Sequence, residues 1–234
     1  MGHVTLLVAT GLRREARLIA GSGIVVIAGG GDSERLEREL EVLAGSASAI
    51  LSSGLAGALA PDLRPGDVVI GTGCASLDAN GSDDSGAAFG RELGRHVPNA
   101  RTGLVWASDR PVADAAEKKA IHGATAALAV DMESHIAARV AARHRLPFAA
   151  LRVISDAADV SLPPAALAGM RPDGGIALGA ILSSLAQNPA QLPALIRVGR
   201  DAARAFRVLG GLHDMLRGRG IGRLDPRQLS LDMA

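Results

Sequence analysis

The run Phe148–Ile154 is apolar at every position except Arg152, and it leads into Ser155-Asp156-Ala157-Ala158-Asp159. A strand with one face in water alternates polar and apolar side chains, whereas a strand apolar almost throughout must be covered on both faces. This run therefore calls for a buried sheet with helices on either side. Shorter apolar runs supply further strands at Val4–Ala9, Ile24–Ala28, Ala49–Leu51, Val68–Gly71, Gly103–Trp106 and Leu128–Val130. Helical spacing occupies the intervals Leu12–Ala20, Ser33–Ala44, Ala113–His122 and Met132–His144, with Asp32 or Ser33 placed to cap the second. Strands alternating with helices give an α/β fold, a three-layer sandwich around a central mixed, mostly parallel sheet.

Aromatic residues make up only 2% of the chain, with no tyrosine, while 48% of residues are hydrophobic. The core is then built from Ala, Val, Leu and Ile, and few rings remain to stack on a bound base. No linker or internal repeat interrupts the 234 residues, so a single domain covering 1–234 is expected. The Gly/Asp/Ser stretch Asn80–Gly86 reads as a loop, and Pro61–Asp67 as a surface turn. From Leu192 the chain becomes basic and amphipathic. Arg197, Arg200, Arg204 and Arg207 recur at helical spacing against Leu195, Val198, Ala202, Phe206 and Leu209. Gly210-Gly211 then reads as a break before a segment carrying Arg217, Arg219, Arg223 and Arg227. Residues 192–234 form a basic helical C-terminal extension in this reading.

A net charge of +1 gives no electrostatic basis for nucleic-acid binding. The lone Cys74 excludes an internal disulfide, and the six histidines lack ligand spacing, so no metal is expected. Met1-Gly2-His3-Val4 passes directly into a strand without a secretory signal, and no apolar run reaches the roughly 18 residues of a spanning helix. A cytoplasmic location is the expectation. Gly29-Gly30-Gly31 suggests a dinucleotide loop, but Glu34 stands where its third glycine belongs. No Gly-x-Ser-x-Gly elbow occurs either.

Two carboxylates stand out at element ends. Glu133, in Asp131-Met132-Glu133-Ser134, opens a helix, and Asp156 closes the strand returning beside it. Ligands of open α/β sheets bind at such C-terminal strand ends. Taken singly, Asp156 reads as a strand-end aspartate and Glu133 as a first-turn glutamate favoured by the helix dipole. Taken together with the intervening Pro147-Phe148 strand, the pattern resembles the purine nucleoside phosphorylase and nucleosidase superfamily.

The resemblance implies cleavage of an N-glycosidic bond. Asp156, next to Ser155, protonates the purine, and Glu133, preceded by Met132, holds the ribose. Ser53-Gly54-Leu55-Ala56-Gly57 matches the family's glycine loop, in which Gly54 and Leu55 bring backbone close to the sugar or nucleophile. Glu15, after Gly11-Leu12-Arg13-Arg14, falls where the nucleosidases carry the glutamate that activates water, and Arg152 matches the arginine near that water. The departures from the pattern are specific. Ser52 stands where hexameric phosphorylases have an arginine, Leu55 where they have a serine, and Arg110-Pro111 where nucleosidases place a base-stacking phenylalanine. The first two weaken a phosphate cradle, so hydrolysis is favoured over phosphorolysis. Phosphate remains the alternative nucleophile, and Arg13, Arg14 and Arg152 are the cations available to it.

The compressed glycine loop and the basic tail resemble the hopanoid-associated phosphorylase branch. That branch implies adenine removal from adenosylhopane, no organic cofactor, a homo-oligomer, and a tail in peripheral contact with the inner face of the membrane. The alternatives are a soluble methylthioadenosine/S-adenosylhomocysteine-type nucleosidase, a non-catalytic nucleoside-binding protein on the same fold, and a tail that simply packs on its own domain.

Overall fold

A computed structural model of the chain describes residues 6–75, 85–169, 171 and 175–218. The elements in order are β1 (Leu6–Thr10), α1 (Arg13–Ile19), β2 (Ile24–Ala28), α2 (Ser33–Ala44), β3 (Ala49–Ala58), β4 (Val68–Ala75) and α3 (Ser85–His96). There follow β5 (Arg101–Ala107), α4 (Ala115–Thr125), β6 (Ala129–Asp131), α5 (Ser134–His144), β7 (Phe148–Asp156), α6 (Pro164–Ala168), α7 (Leu178–Gln187) and α8 (Leu192–Gly218).

Side-chain parity along the strands shows why the sheet must be sandwiched. Leu7, Ala9, Ile50 and Ala150 pack with Leu36 and Leu40 of α2 and with Ile136 and Val140 of α5. Their neighbours Leu6, Val8, Leu51 and Leu151 point the other way, onto Ile19 of α1, Phe89 and Leu93 of α3, and Leu216 of α8. Strands β1, β3 and β7 thus bury both of their faces, as their apolar sequences require.

The sheet runs β2-β1-β3-β6-β5-β4-β7, with a further pairing between β3 and β7. Strands β2, β1, β3 and β7 are mutually parallel, and so are β4, β5 and β6. The two sets join through antiparallel β4–β7 and β3–β6 pairs. The sheet is mixed, as expected, and β3, β7, β4, β5 and β6 close on one another. Because β6 runs against β3, the chain leaving Val130 heads back along β3 toward Gly54. That reversal delivers Asp131 and Glu133 to the middle of the sheet rather than to its rim.

Several boundaries differ from the sequence reading. Ser52–Gly57 is not a loop but the second half of β3. Pairing with β7 from Ile50 to Gly57 overrides the weak strand preference of serine and glycine. Gly210-Gly211 does not break the tail, because α8 continues through both to Gly218. Of the expected loop Asn80–Gly86, residues 80–84 lie outside the described residues, and Ser85 and Gly86 open α3. Val4 at the start of the first strand, and Arg219, Arg223 and Arg227 of the tail, also lie outside them. The tail's apolar face is used within the molecule, where Ala205 and Leu209 pack on Val153 with Leu18 and Leu55. No helix among the described residues is long and apolar enough to cross a membrane.

Candidate active site

Arg152 is fully buried in the middle of β7, and its surroundings are built to receive it. Its Nε lies 2.7 Å from Asp131 Oδ2, and its Nη2 donates to Ser134 Oγ at 3.0 Å and to Ser52 Oγ. Asp131 is itself fixed by the start of α5. Its Oδ1 accepts from the amides of Glu133 (2.9 Å) and Ser134 (2.8 Å), satisfying two otherwise unpaired donors of the helix N-terminus. Ser134 Oγ completes the arrangement by donating to Asp131 Oδ2 at 2.5 Å. The remaining guanidinium nitrogen, Nη1, has no hydrogen-bond partner among the described residues and lies 3.8 Å from Glu133 Oε2.

Glu133 is the residue immediately before α5, and burial pushes its carboxyl up to about 8. Arg152 opposes that shift, while the nearby negative charges of Asp131 and Glu15 reinforce it. The turn after β1 passes so close that a Cβ on Gly11 would sit 2.6 Å from Glu133 Oε1. Met132, between Asp131 and Glu133, is half-buried.

Glu15 enters the same space from the first turn of α1. One oxygen accepts from the Leu12 amide at 2.8 Å, closing the helix start, and the other accepts from the Leu55 amide at 2.8 Å, reaching across to β3. Burial raises its pKa, and these amides and Arg152 lower it. A Cβ on Gly54 would meet the Glu15 carboxylate at 2.8 Å, so the glycine gives room to Glu15 itself. Leu55 contributes its amide, while its side chain packs on the Val153, Ala205 and Leu209 cluster.

Asp156 does not join this group directly. It closes β7 four residues after Arg152, roughly 13 Å further along a strand rising ~3.3 Å per residue. Ser155 is the extra residue of a β-bulge against β3, which re-aims the end of the strand. Its hydroxyl lies 2.7 Å from Asp156 Oδ1 and 3.2 Å from the Ala56 carbonyl. The other oxygen, Oδ2, takes a 2.5 Å bond from the Nζ of Lys118, a lysine with no exposed surface. Two groups of side chains are therefore ordered along β7, one around Arg152 and one at its C-terminal end. Glu15, Glu133 and Arg152 form the first, and Asp156 with Ser155 and Lys118 forms the second.

Residues 16–185 match the model of the phosphorylase superfamily. The chain belongs to that superfamily. Among solved structures, it is similar to a Helicobacter pylori 5′-methylthioadenosine/S-adenosylhomocysteine nucleosidase mutant with 5′-methylthioadenosine in its active site, at 18% identity and a TM-score of 0.58. That match covers 92% of this chain and 99% of the other. The Streptococcus pneumoniae nucleosidase of the same type in complex with 8-aminoadenine gives 20% identity and a TM-score of 0.58, over 88% and 98% of the two chains. A futalosine hydrolase mutant of Helicobacter pylori gives 20% and 0.56, over 79% and 99%. At these identities the likeness establishes the fold.

All four aromatic side chains have packing partners of their own. Trp106 belongs to β5 and packs with Val112, Val130 and Ile121, while Phe89 and Phe148 lie in the core and Phe206 lies beneath Arg14 on α8. Arg110 is paired with Glu117 at the surface. Two residues of evident importance escaped the sequence reading. Asp131 carries no assigned role in the sequence motif, although an aspartate just ahead of a helix can accept from the helix's first free amides. Lys118 looks like half of a solvated Lys-Lys pair, but it shares an inward i, i+3 row with Ala115 and Ile121. Among the described residues, no group of three or more His, Cys, Asp or Glu is placed to hold a metal ion.

Proposed function

We propose that this protein hydrolyses the N-glycosidic bond of a purine nucleoside, an adenosine substituted at its 5′ carbon. The observation that carries the reading is one buried arginine, Arg152, held among Asp131, Glu133 and Glu15, with the Asp156 carboxyl further along the same strand. In the reaction, Glu133 accepts hydrogen bonds from the ribose hydroxyls, which favours its ionised form and places negative charge near the forming oxocarbenium ion. As C1′–N9 breaks, the bond's electron pair passes into the base, and N7 takes the proton of Asp156. Such proton donation is worth ~10²–10⁴ in rate. A water positioned by Arg152 Nη1 then adds to C1′ and yields its proton to Glu15. Met132, Gly54 and Ser155 line the path between the two groups in this reading.

Water is favoured over phosphate by the charges. Arg152 already faces three carboxylates, and a phosphate dianion added there would meet repulsion. Arg13 and Arg14 are exposed, with Arg14 stacked 4.2 Å from the Phe206 ring, so neither turns toward Arg152 to build a cradle.

The 5′ substituent is read as apolar and lipid-linked, as in adenosylhopane. Its support is an uncharged surface beside the body of the protein. From Ile176 to Ile196 the chain has no charged residue, and Ile176, Leu178, Leu182, Leu192 and Ile196 are exposed. Arg197 and Arg200, both exposed, follow directly. Aliphatic side chains flanked by arginines suit an anionic membrane surface in which such a substrate resides. The soluble methylthioadenosine-type reading stays open, supported by the likeness to those nucleosidases.

Adenine release from 5′-methylthioadenosine and from adenosylhopane, in phosphate-free buffer, tests the proposal. Release is expected from the wild type, and Asp156→Asn is expected to bind nucleoside but turn over at least 100-fold more slowly, by the weight of general acid catalysis. Equal turnover by that variant would overturn the mechanism, and nucleoside binding without release by the wild type would make the protein a binder.

A further inference from the structure

The chain uses arginine almost exclusively as its cation. Of 25 basic residues, Lys118 and Lys119 are the only lysines. One of the two is fully buried, and its three N–H donors each meet one oxygen: Asp156 Oδ2 at 2.5 Å, Val160 O at 2.8 Å and Ala157 O at 3.1 Å. An ammonium has three donors and no more, whereas a guanidinium has five in a plane. Burying an ion is costly unless it is paired and fully hydrogen-bonded, and this site meets both conditions.

All three acceptors come from the end of β7 and the turn that follows it. The same turn is tied to the start of α4 by two more bonds. The Ala115 amide donates to Ser161 Oγ at 3.0 Å, and the Leu162 amide donates to the Ala113 carbonyl at 2.9 Å. The N-terminal part of α4 is thus a clasp on residues 156–162, and Lys118 is its charged pin. Other ionisable groups on the surrounding elements are engaged elsewhere. Asp114 caps α4, Glu117 pairs with Arg110, His122 Nδ1 meets the Ala127 carbonyl, Asp131 faces Arg152, and Asp159 is exposed. On β3, Gly57 leaves space beside Asp156, where a Cβ would lie 3.1 Å from Oδ2.

We propose that Lys118 is a positioning residue for glycosidic cleavage, aiming the Asp156 carboxyl at the base and supplying the positive charge that receives its negative charge. This rests on the reading of Asp156 as the acid. When Asp156 gives its proton to N7, the aspartate becomes a carboxylate beside an ammonium already in place. Charge forming next to a fixed, desolvated counter-charge is stabilised without reorganisation. Asp156 regains a proton from solvent after adenine departs.

The test compares wild type, Lys118→Met and Lys118→Arg for adenine release from 5′-methylthioadenosine across pH 5–10, with thermal melts of each protein. For Lys118→Met, kcat is expected to fall roughly 10- to 100-fold, within the range of general acid catalysis, while KM changes little. The alkaline limb of its pH profile is expected to move upward, because removing a neighbouring cation makes a carboxyl hold its proton to higher pH. Lys118→Arg keeps the charge, so its alkaline limb should stay near that of wild type even where imperfect geometry lowers kcat. The arginine variant also serves where the methionine variant does not fold. Lowered stability with an unmoved pH profile in Lys118→Met, or an upward shift of the limb in Lys118→Arg, would overturn the role. Adenine release by wild type and not by Asp156→Asn keeps the function reading intact in that event, whereas no release by wild type defeats both.

Discussion

At the scale of single residues, two glycines and two glutamates make the site. The positions that side chains on Gly11 and Gly54 would occupy are already filled by the carboxylates of Glu133 and Glu15. Both acids are thereby pressed against backbone and Arg152, Glu15 wholly and Glu133 largely out of water. Burial, the largest influence, raises the Glu133 pKa to about 8. This has a consequence for stability. A carboxyl that holds its proton more tightly when folded contributes stability that is fully present below its unfolded pKa and is lost as pH rises through the folded value. Glu133→Gln mimics the protonated form and removes that loss. Its melting temperature should exceed that of wild type by a margin that widens from pH 5 to pH 9, reaching several degrees. Thermal melts over this range check it, and a margin independent of pH would contradict the electrostatic account. In the proposed reaction the same variant should lose activity, since an amide carries no negative charge.

The residues legible in the sequence were those carried by a local motif. Glu133 follows Asp-Met before a helix, and Asp156 follows Ser at a strand end, so their places at element ends could be read. Lys118 and Asp131 were not legible in the same way. A lysine's burial is decided by which carbonyls a distant turn presents, here Ala157 and Val160, some 40 positions along the chain. The meeting of Glu133 with Arg152 depends on the antiparallel β3–β6 pair, which no periodicity of either strand announces.

Among the elements, β3 and α8 differ most from their sequence appearance. Serine and glycine from Ser52 to Gly57 lower intrinsic strand preference, yet β7 pairs along that segment and holds it extended. The buried sheet was evident because its apolar strands need cover on both faces, whereas this extension is a tertiary effect. In α8, Gly210 and Gly211 look like a break but lie in one helix of 27 residues. Packing of Leu209, His213 and Leu216 beneath it outweighs the cost of glycine, ~1 kcal/mol per residue in a helix interior. A methyl group at Gly211 would meet no atom within 4 Å. Gly211→Ala is therefore expected to stabilise the protein by about 0.5–1 kcal/mol in urea unfolding. Destabilisation would show that the backbone there is not helical.

At the scale of the whole molecule, the extension is divided in its use. Its later turns pack on β7 and α1, so the broad amphipathic face seen in the sequence is partly consumed inside the structure. What remains outward is the uncharged surface of α7 and the first turns of α8, next to Arg197 and Arg200. If that surface meets lipid, Leu178→Ser with Leu182→Ser should reduce co-sedimentation with phosphatidylglycerol vesicles severalfold and leave cleavage of soluble 5′-methylthioadenosine unchanged. Unaltered vesicle binding would refute the membrane assignment. Conversion of an oligomer to monomers by the same pair would reassign the surface to contact between copies.

The central claim is that water, held at Arg152 and Glu15, replaces the purine at C1′. The most direct measurement is product analysis after adenine release in water enriched in oxygen-18, with and without phosphate. The account expects one labelled oxygen in the freed sugar, formed as readily without phosphate as with it. A sugar 1-phosphate, formed only when phosphate is present, would contradict it.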